Sequence, residues 1–528
     1  MTDPRPLIVS DVPMIAVIEL GSTSIRMMIA SPGADGRGKA RILDTLQQTV
    51  SLGRDTFTTG TIRNQTTEAC VSAVISFRRV MQEYGITRPE HIRVIASSAV
   101  REAANREAFL DRIFVATGIA VTVIEEAEVN RLTYRAVRPL LGRQAFFKTS
   151  DTLVAEVGGG STETLLFHRG RVAAAQMHKL GSLRLAKSMD VYAVSRRREQ
   201  AIMSGSIDQA IEAICAALPP AKKPVMLALG GDIRFAASLL QPDWDHHSLV
   251  SVTTMDLETL ARQLAEMSLE EVVRVHHLSY ENAETLYPAL LIYIRLAQAL
   301  HLRRFFVAEV NLRNGLLAEM ESGGNWTAEF KHQIISSALE VARRYQVDLG
   351  RARHVSATAM AMMDFLRARH VFSHRDEMLL TVAALLHEAG LFINLSAYHK
   401  HTGYIIANSD LFGLGTQDVA MAAQIARYHR RSMPKPTHNA YMQLSREDRL
   451  TVSRLAAILR VASAVDGLPS RRPLPLRFRE HDGVLTIMTD VFANLPMIQQ
   501  RISASADLFE QIYGLRVNLR QTAKDTSS

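Results

Sequence analysis

The sequence predicts a mixed α/β fold over residues 14–322, followed by an all-α domain and a small α+β domain. Three observations support this prediction. Short apolar runs such as IAVIEL and TLVAEV alternate with helical patterns in the first part of the chain. Beyond residue 322 the β character nearly disappears and helical periodicity dominates. Near the end, LRFREHDGVLTIM has the pattern of a hairpin around Asp482-Gly483.

The α/β part divides into two similar lobes, which we expect at 14–142 and 143–322. In the first lobe IAVIEL and IRVIASSA are strand-like, and a run of apolar residues from Val71 to Met81 has helical spacing. The second lobe repeats this alternation through TLVAEV and PVMLALGG. Both lobes are therefore predicted to hold largely buried sheets covered by helices.

The rest of the chain is expected to contribute an all-α domain at 323–467 and a small α+β domain at 468–520, joined through GLPSRRPLP. The polar end, 521–528, has the composition of a disordered tail, and 1–13 is expected to be an extension.

Composition restricts the possible functions. The chain has 528 residues, 47% of them hydrophobic, and only two cysteines, so a disulfide framework and a Cys-based zinc site are excluded. It shows neither a long uncharged apolar run nor the pattern of a signal peptide, so we expect a cytoplasmic protein without a membrane partner. The net charge of +8 favours polyanions. Aromatic residues are sparse between the arginine clusters, so a base-free polyphosphate suits them better than a nucleic acid.

Two segments repeat one design, an apolar strand with a carboxylate at its end and then a Gly/Ser/Thr loop: AVIELGSTSIRMMIA and AEVGGGSTETLLF. Glycines without a Cβ let backbone N–H groups approach an anion. The carboxylates Glu19 and Glu156 would repel a phosphate, so their expected partner is a bridging cation such as Mg²⁺. The candidate phosphate-binding residues of these loops are Gly21, Ser22, Arg26, Gly158, Gly159, Gly160, Ser161 and Thr162.

Three further stretches suit phosphoryl transfer. In SSAVREAAN, Arg101 could bind a terminal phosphate, with Ser97 or Ser98 nearby. In LALGGD, Gly230 and Gly231 form another glycine pair after a strand. In IEEAEVNRL, a carboxylate at a helix start could polarise a water molecule.

The order of these segments resembles the exopolyphosphatase and guanosine-pentaphosphate phosphohydrolase family, part of the actin, sugar-kinase and heat-shock ATPase superfamily. The resemblance covers nearly the whole chain and implies two actin-like, ribonuclease-H-like lobes. By this resemblance Glu128 is the water-activating base, with Glu125 and Glu126 as close rivals, and Glu163 helps to orient the water or the metal.

The chain departs from the family pattern at both loops, where Glu19 and Glu156 replace the usual Asp, and again at Glu284 in ENAETL. An added methylene moves a carboxylate by roughly 1.5 Å, an error that can lower a rate ~100-fold if nothing compensates. These replacements are consistent with two interpretations. The chain belongs to a subfamily whose backbone has shifted to match the longer side chains, or it binds phosphates and hydrolyses them poorly.

The helical domain carries His354, His387-Glu388, His429 and Asp466 in an order similar to the HD phosphohydrolase superfamily, with His-Glu in place of its defining His-Asp. By resemblance this domain shapes a basic groove for polyphosphate and a second metal-dependent hydrolase is not expected there. The groove residues are predicted to be Arg427, His429, Arg430 and Arg431.

The sequence therefore predicts a Mg²⁺-dependent phosphoanhydride hydrolase that releases orthophosphate from inorganic polyphosphate and that could also act on guanosine pentaphosphate. Dimerisation through the helical domains is implied by resemblance. Two alternatives are an ATP-using kinase of the same superfamily and a weakly catalytic sensor of polyphosphate or guanosine alarmones.

Overall fold

The computed structural model describes residues 14–31, 40–189, 196–219, 224–321, 326–430, 432–466, 476–489 and 495–521. The chain divides into two compact units between residues 325 and 326. The predicted extension 1–13, the groove residue Arg431 and residues 522–528 of the predicted tail lie outside the described residues. Gln521, which was expected to begin the tail, ends a strand instead.

The first sheet has five strands: β1 (Ile15–Leu20), β2 (Ser24–Ser31), β3 (Arg41–Thr49), β4 (Ile92–Ala96) and β5 (Thr122–Val123). Their spatial order is β3-β2-β1-β4-β5. Helices accompany the sheet: α1 (Leu52–Thr59), α2 (Asn64–Glu83), α3 (Ser98–Arg101), α4 (Arg106–Thr117), α5 (Glu126–Leu141) and α6 (Ala145–Thr149). Apolar residues at nearly every position of β1 bury both of its faces.

The second sheet has six strands: β6 (Asp151–Val157), β7 (Thr162–His168), β8 (Arg171–His178), β9 (Val225–Leu229), β10 (Val250–Thr253) and β11 (Arg304–Val307). Their spatial order is β10-β11-β9-β6-β7-β8. The helices of this region are α7 (Ser182–Met189), α8 (Arg196–Ala217), α9 (Gly231–Leu240), α10 (Thr254–Glu266), α11 (Leu269–His276), α12 (Tyr280–Ala299) and α13 (Leu312–Glu321).

The two sheets repeat one arrangement. In each, a hairpin closes on a glycine loop, and its first strand pairs in parallel with a later strand: β1 with β4, and β6 with β9. Register places Glu19 opposite Arg26 in the first hairpin and Glu156 opposite Glu163 in the second. The duplicated design in the sequence is thus a duplicated topology.

Helix α13 follows the second sheet in the chain but packs on the first. Leu312, Leu316 and Leu317 share a core with Ile15 and Val17 of β1. This helix therefore joins the two lobes, although we expected residues up to 322 to belong to the second lobe.

The second unit begins with helices: α14 (Ala328–Arg344), α15 (Leu349–Leu366), α16 (His374–Leu386), α17 (Tyr398–Ala407), α18 (Thr416–Arg427), α19 (Asn439–Met442) and α20 (Arg446–Val465). Among the residues described between 326 and 466 there is no strand. The unit ends with β12 (Arg477–His481), β13 (Val484–Thr489), α21 (Leu495–Ser503), α22 (Asp507–Tyr513) and β14 (Arg516–Gln521). Asp482 and Gly483, in the turn between β12 and β13, both have positive φ, as a tight hairpin requires.

No helix within the described ranges is both long and apolar enough to cross a membrane.

Candidate active site

Two loops, each following a buried strand, lie against each other in the first unit. The loop after β1 begins at Gly21 and the loop after β6 begins at Gly158. Each loop closes on itself, because Gly21 N–H donates to Ser24 O at 3.0 Å and Gly158 N–H donates to Ser161 O at 2.8 Å. Where the structure describes the chain, the intervening N–H groups donate to no backbone carbonyl. These N–H groups therefore face no competing backbone acceptor and can serve an anion.

Contact between the loops requires glycine. A methyl group at Gly159 would lie 2.9 Å from Ser22 Cβ, and one at Gly160 would lie 2.5 Å from Ser98 Oγ. Gly181 also packs against this loop, since a methyl group there would overlap the carbonyl carbon of Gly160. The glycines are thus required by close approach and do not simply provide a turn.

The loops border a cavity of about 610 Å³ between the two sheets. Most of the residues predicted from the sequence line it. They are Glu19, Gly21, Ser22, Arg26, Ser98, Arg101, Glu156, Gly158, Gly159, Ser161, Glu163, Gly230 and Gly231. Gly160 contacts the neighbouring loop but does not line the cavity, and neither do Thr162 and Glu128. Thr162 is fully buried, and its hydroxyl donates to Leu180 O.

Two carboxyl groups on the cavity wall have raised pKa values. Burial raises the pKa of Glu156 to about 8, and the neighbouring charges of Glu163 and Glu19 add to this effect. Burial also raises the pKa of Glu163 to about 7, although a hydrogen bond from Ser161 Oγ to Glu163 Oε1 at 2.5 Å opposes the shift. These raised pKa values mark a site that favours a bound cation or a proton.

A third carboxylate of the cavity wall, the partly buried Asp232, was not singled out from the sequence. Burial raises the pKa of this side chain to about 6, while a hydrogen bond from Thr285 and the charges of Arg26 and Arg234 oppose the rise. It follows Gly230-Gly231 at the start of α9, so the glycine pair after a strand was the available signal.

Arginines balance these carboxylates. Arg101 donates to Ile124 O at 2.9 Å and to Met177 Sδ at 3.2 Å, and both of these acceptors are neutral. Arg313, on α13, forms a short ion pair with Glu19. Nothing in the local sequence signals Arg313, because it reaches the site from a position 294 residues after Glu19.

Glu128 lies at the border of the cavity. It is the third residue of α5, and its Oε2 accepts the N–H of Glu125 at 3.2 Å in a capping box. Its Oε1 is 3.6 Å from Arg131. Val129 beside it lines the cavity, and the charge of Glu126 acts on Glu163. Glu128 would therefore have to leave its helix cap to reach the cavity.

The divalent cation implied by the family resemblance can be tested against these side chains. Glu19 and Glu156 are close neighbours, since Glu19 helps to raise the pKa of Glu156. Among the described residues, however, no three His, Cys, Asp or Glu side chains are arranged to hold a metal ion. Mg²⁺ commonly takes one or two carboxylates and completes its shell with water and substrate phosphates. Glu19 and Glu156 are the residues that would hold such a cation, together with a bound phosphate.

Comparison with known proteins decides the family. The model of the Ppx/GppA phosphatase family matches residues 33–323, more than half of the 528 residues. The chain belongs to the Ppx/GppA phosphatase family. The model for domain III of this family matches residues 334–482. Membership places the chain among phosphohydrolases.

Curated relatives and a solved structure agree with this assignment. The chain is 24% identical over 455 residues to the guanosine-5′-triphosphate,3′-diphosphate pyrophosphatase of Photobacterium profundum, covering 85% of this chain and 86% of the relative. A protein of the same name from Aliivibrio fischeri is 24% identical over 506 residues, covering 94% and 96%. The crystal structure of an exopolyphosphatase from Cytophaga hutchinsonii has a TM-score of 0.51 at 21% identity, covering 59% of this chain and 99% of that one. The shared fold confirms the predicted α/β architecture.

The predicted polyphosphate groove falls in the region matched by domain III. Arg430 is exposed and its guanidinium lies 4.8 Å from the centre of the Tyr398 ring, while Arg427 is half-buried. His429 does not belong with them, because it is only 2% exposed and its Nδ1 donates to Ala426 O at 2.5 Å. Burial lowers the pKa of His429 well below its usual value, so it stays neutral. The burial of His429 contradicts its assignment to the groove: it follows the end of α18 at Arg427, and its ring packs against His387 and Tyr398 in the core.

The HD-like residues of this unit form a buried polar cluster. Asp466 accepts hydrogen bonds from Arg351 Nε at 2.6 Å and from His354 Nδ1 at 2.7 Å. A second carboxylate, Glu388, is 3.1 Å from the same arginine. Arg351 therefore supplies the positive charge between the two carboxylates.

Proposed function

We propose that this phosphohydrolase removes terminal orthophosphate from inorganic polyphosphate, and that guanosine pentaphosphate is a second substrate. The observation that carries the proposal is the meeting of both glycine loops with Arg101 in one cavity. The names of the relatives support both substrates, since two are guanosine-5′-triphosphate,3′-diphosphate pyrophosphatases and one structural neighbour is an exopolyphosphatase. Both substrate types end in a phosphoanhydride-linked phosphate.

The terminal phosphate would bind between the loops. N–H groups from two loops can hold oxygens of the transferred phosphoryl group, and such fixed donors stabilise charge without reorganisation during the reaction. Among the described residues the hydrogen-bond acceptors of Arg101 are neutral, so its guanidinium can pair with a phosphate without first breaking a hydrogen bond to a described carboxylate.

Two carboxylates can accept the proton of the attacking water. Glu163 lines the cavity, and its pKa of about 7 suits a general base near neutral pH. Glu128 is the base that the family resemblance implies, but its carboxylate caps α5 outside the cavity lining. The geometry favours Glu163, and the experiment below separates the two.

A divalent cation, held by Glu156 and Glu19 together with the substrate, would neutralise part of the phosphate charge. The raised pKa of Glu156, to which the charge of Glu19 contributes, supports this part of the proposal because it marks a position that favours added positive charge.

The test is orthophosphate release from long-chain polyphosphate and, separately, from guanosine pentaphosphate, with Mg²⁺ present or chelated. Wild type is compared with Glu128→Gln, Glu163→Gln and a surface control, Glu107→Gln on α4, whose side chain is 76% exposed. We expect release that requires Mg²⁺ and is lost in Glu163→Gln. Loss in Glu128→Gln alone would assign the base to Glu128.

Two results would contradict hydrolysis. Tight binding of polyphosphate without release would favour a sensor, in line with the Glu-for-Asp replacements. Consumption of ATP that depends on an added acceptor would favour a kinase.

A further inference from the structure

One tyrosine joins the two glycine turns of the second sheet. Tyr293, on α12, is fully buried, and its hydroxyl lies between the ends of β6 and β9. It accepts the N–H of Val157 at 2.8 Å and donates to Leu229 O in a short hydrogen bond. Val157 immediately precedes the loop at Gly158, and Leu229 immediately precedes Gly230.

The hydroxyl stands where the two parallel strands separate. Glu156 is still paired with Leu229 in the ladder, but beyond this pair the strands continue into different loops. Parallel strands must diverge at their carboxyl ends to leave a crevice for a ligand. Divergence would leave a buried N–H and a buried C=O without partners, and such groups are rarely tolerated. A phenol hydroxyl satisfies both, because it donates and accepts at once.

Gly230 is shaped to admit this hydroxyl. Its φ of +119° is one that side-chain-bearing residues rarely adopt. A methyl group there would lie 3.0 Å from Val157 O and 3.1 Å from Tyr293 Oη. Tyr293, the ends of β6 and β9, and Gly230 therefore pack closely together next to the cavity.

We propose that Tyr293 is a positioning residue, which fixes the distance between the phosphate loop at 158–161 and the turn at 230–232. It touches no substrate. It acts through Val157 and Leu229, which set the places of Glu156 and Asp232 on the cavity wall. This inference deepens the proposed function and rests on it for the choice of ligand.

Removing the hydroxyl would either leave two buried backbone groups unpaired or let the strand ends approach each other. Both outcomes displace the phosphate loop, and errors near 1 Å in placement can lower a rate about 100-fold. For Tyr293→Phe we expect phosphate binding to weaken about tenfold and kcat to fall by tenfold to 100-fold.

The experiment measures tripolyphosphate binding by calorimetry and kcat and KM for orthophosphate release, on wild type, Tyr293→Phe and Tyr513→Phe. Tyr513 is the matched control, since its hydroxyl donates to a backbone carbonyl, Arg454 O, at 3.1 Å in the other compact unit. Thermal unfolding of each variant fixes a temperature at which all remain folded. A purely structural role would lower both variants' unfolding temperatures and leave the dissociation constant and kcat at wild-type values.

Wild-type binding and turnover in folded Tyr293→Phe would overturn the proposal. If that variant does not fold, Gly230→Ala moves the same hydroxyl without removing it, and a wild-type dissociation constant there would overturn the proposal equally. Absence of phosphate release from wild type would count against the proposed function alone, because the binding comparison does not require turnover.

Discussion

Arg184 of α7 holds Glu102, at the end of α3, through hydrogen bonds of 2.8 Å to both carboxylate oxygens. The same guanidinium donates from Nε to Gly160 O at 2.9 Å and lies 4.3 Å from the centre of the Phe57 ring. Arg184 of the second lobe thus binds both Glu102 of the first lobe and the backbone of the glycine loop. A second link between the lobes lies at Glu284, which pairs with Lys187 and with Arg54.

We expect Glu102→Gln to lower kcat/KM for polyphosphate several-fold, because the glycine loop loses part of its support. The pair is one-quarter exposed, so the loss of unfolding free energy should be only about 0.5–1 kcal/mol. Steady-state kinetics and urea unfolding measure the two effects.

The control for this prediction is Glu68→Gln. Glu68 receives two hydrogen bonds of 2.8 Å from Arg112, within the first lobe and outside the cavity lining. It should show a similar small loss of stability with unchanged kinetics. Equal kinetic loss in both variants would show that the link at Arg184 has no special role.

Asp232 should make stability depend on pH. Its pKa is raised from 3.8 to about 6 in the folded protein, so the folded state holds this proton more tightly than the unfolded state. The contribution is fully present below pH 3.8 and is lost as pH rises through 6. Asp232→Asn should therefore be more stable than wild type above pH 6, by at most about 3 kcal/mol, with the advantage vanishing near pH 4.

Urea unfolding of the ligand-free protein at a series of pH values tests this prediction. Asp208→Asn is the control, since the Asp208 side chain is half-exposed on α8 and pairs with Arg295. An Asp232→Asn curve parallel to that of wild type would show that the carboxyl keeps an ordinary pKa.

Gly181→Ala should displace the glycine loop at 158–161. Its methyl group would overlap backbone atoms of Gly159 and Gly160, which cannot rotate away. We expect a loss of about 1–3 kcal/mol in unfolding free energy and a marked loss of phosphate release. Gly205→Ala on α8 is the control, because a methyl group there meets nothing within 4 Å and should stabilise the helix by up to about 1 kcal/mol. Normal release by Gly181→Ala would contradict the close packing of the loops.

Arg430→Gln should affect long substrates selectively. Arg430 belongs to the polyphosphate groove predicted from the sequence, its guanidinium is exposed, and contacts of arginine with phosphate weaken with salt. We expect a several-fold higher KM for long-chain polyphosphate, no change for tripolyphosphate, and a weaker salt dependence. Arg446→Gln, an exposed arginine at the start of α20, should match wild type. An equal change of KM for both chain lengths would exclude a role in holding the polymer.

Local patterns in the sequence were enough to predict the two lobes and the glycine loops. Alternating apolar runs and helical spacing indicated two α/β lobes, because burial on both faces of a strand requires a continuous apolar run such as IAVIEL. Repeated glycines after Glu19 and Glu156 indicated the loops that now line the cavity, because close backbone approach excludes a Cβ. These signals span a few neighbouring residues, so the sequence displays them directly.

Tertiary structure alone decided which side chains meet. Arg313 reaches Glu19 across 294 residues, and Tyr293 reaches Val157 across 136, through the packing of helices α13 and α12. Burial likewise removed His429 from the groove, and Glu128 holds a helix cap outside the cavity lining. Periodicity shows that a residue lies on a buried face, but the partner it meets there depends on how distant elements pack. The sequence therefore indicated the loops, Arg26 and Arg101, and the packing of distant elements supplied Arg313, Tyr293 and the raised pKa values that complete the site.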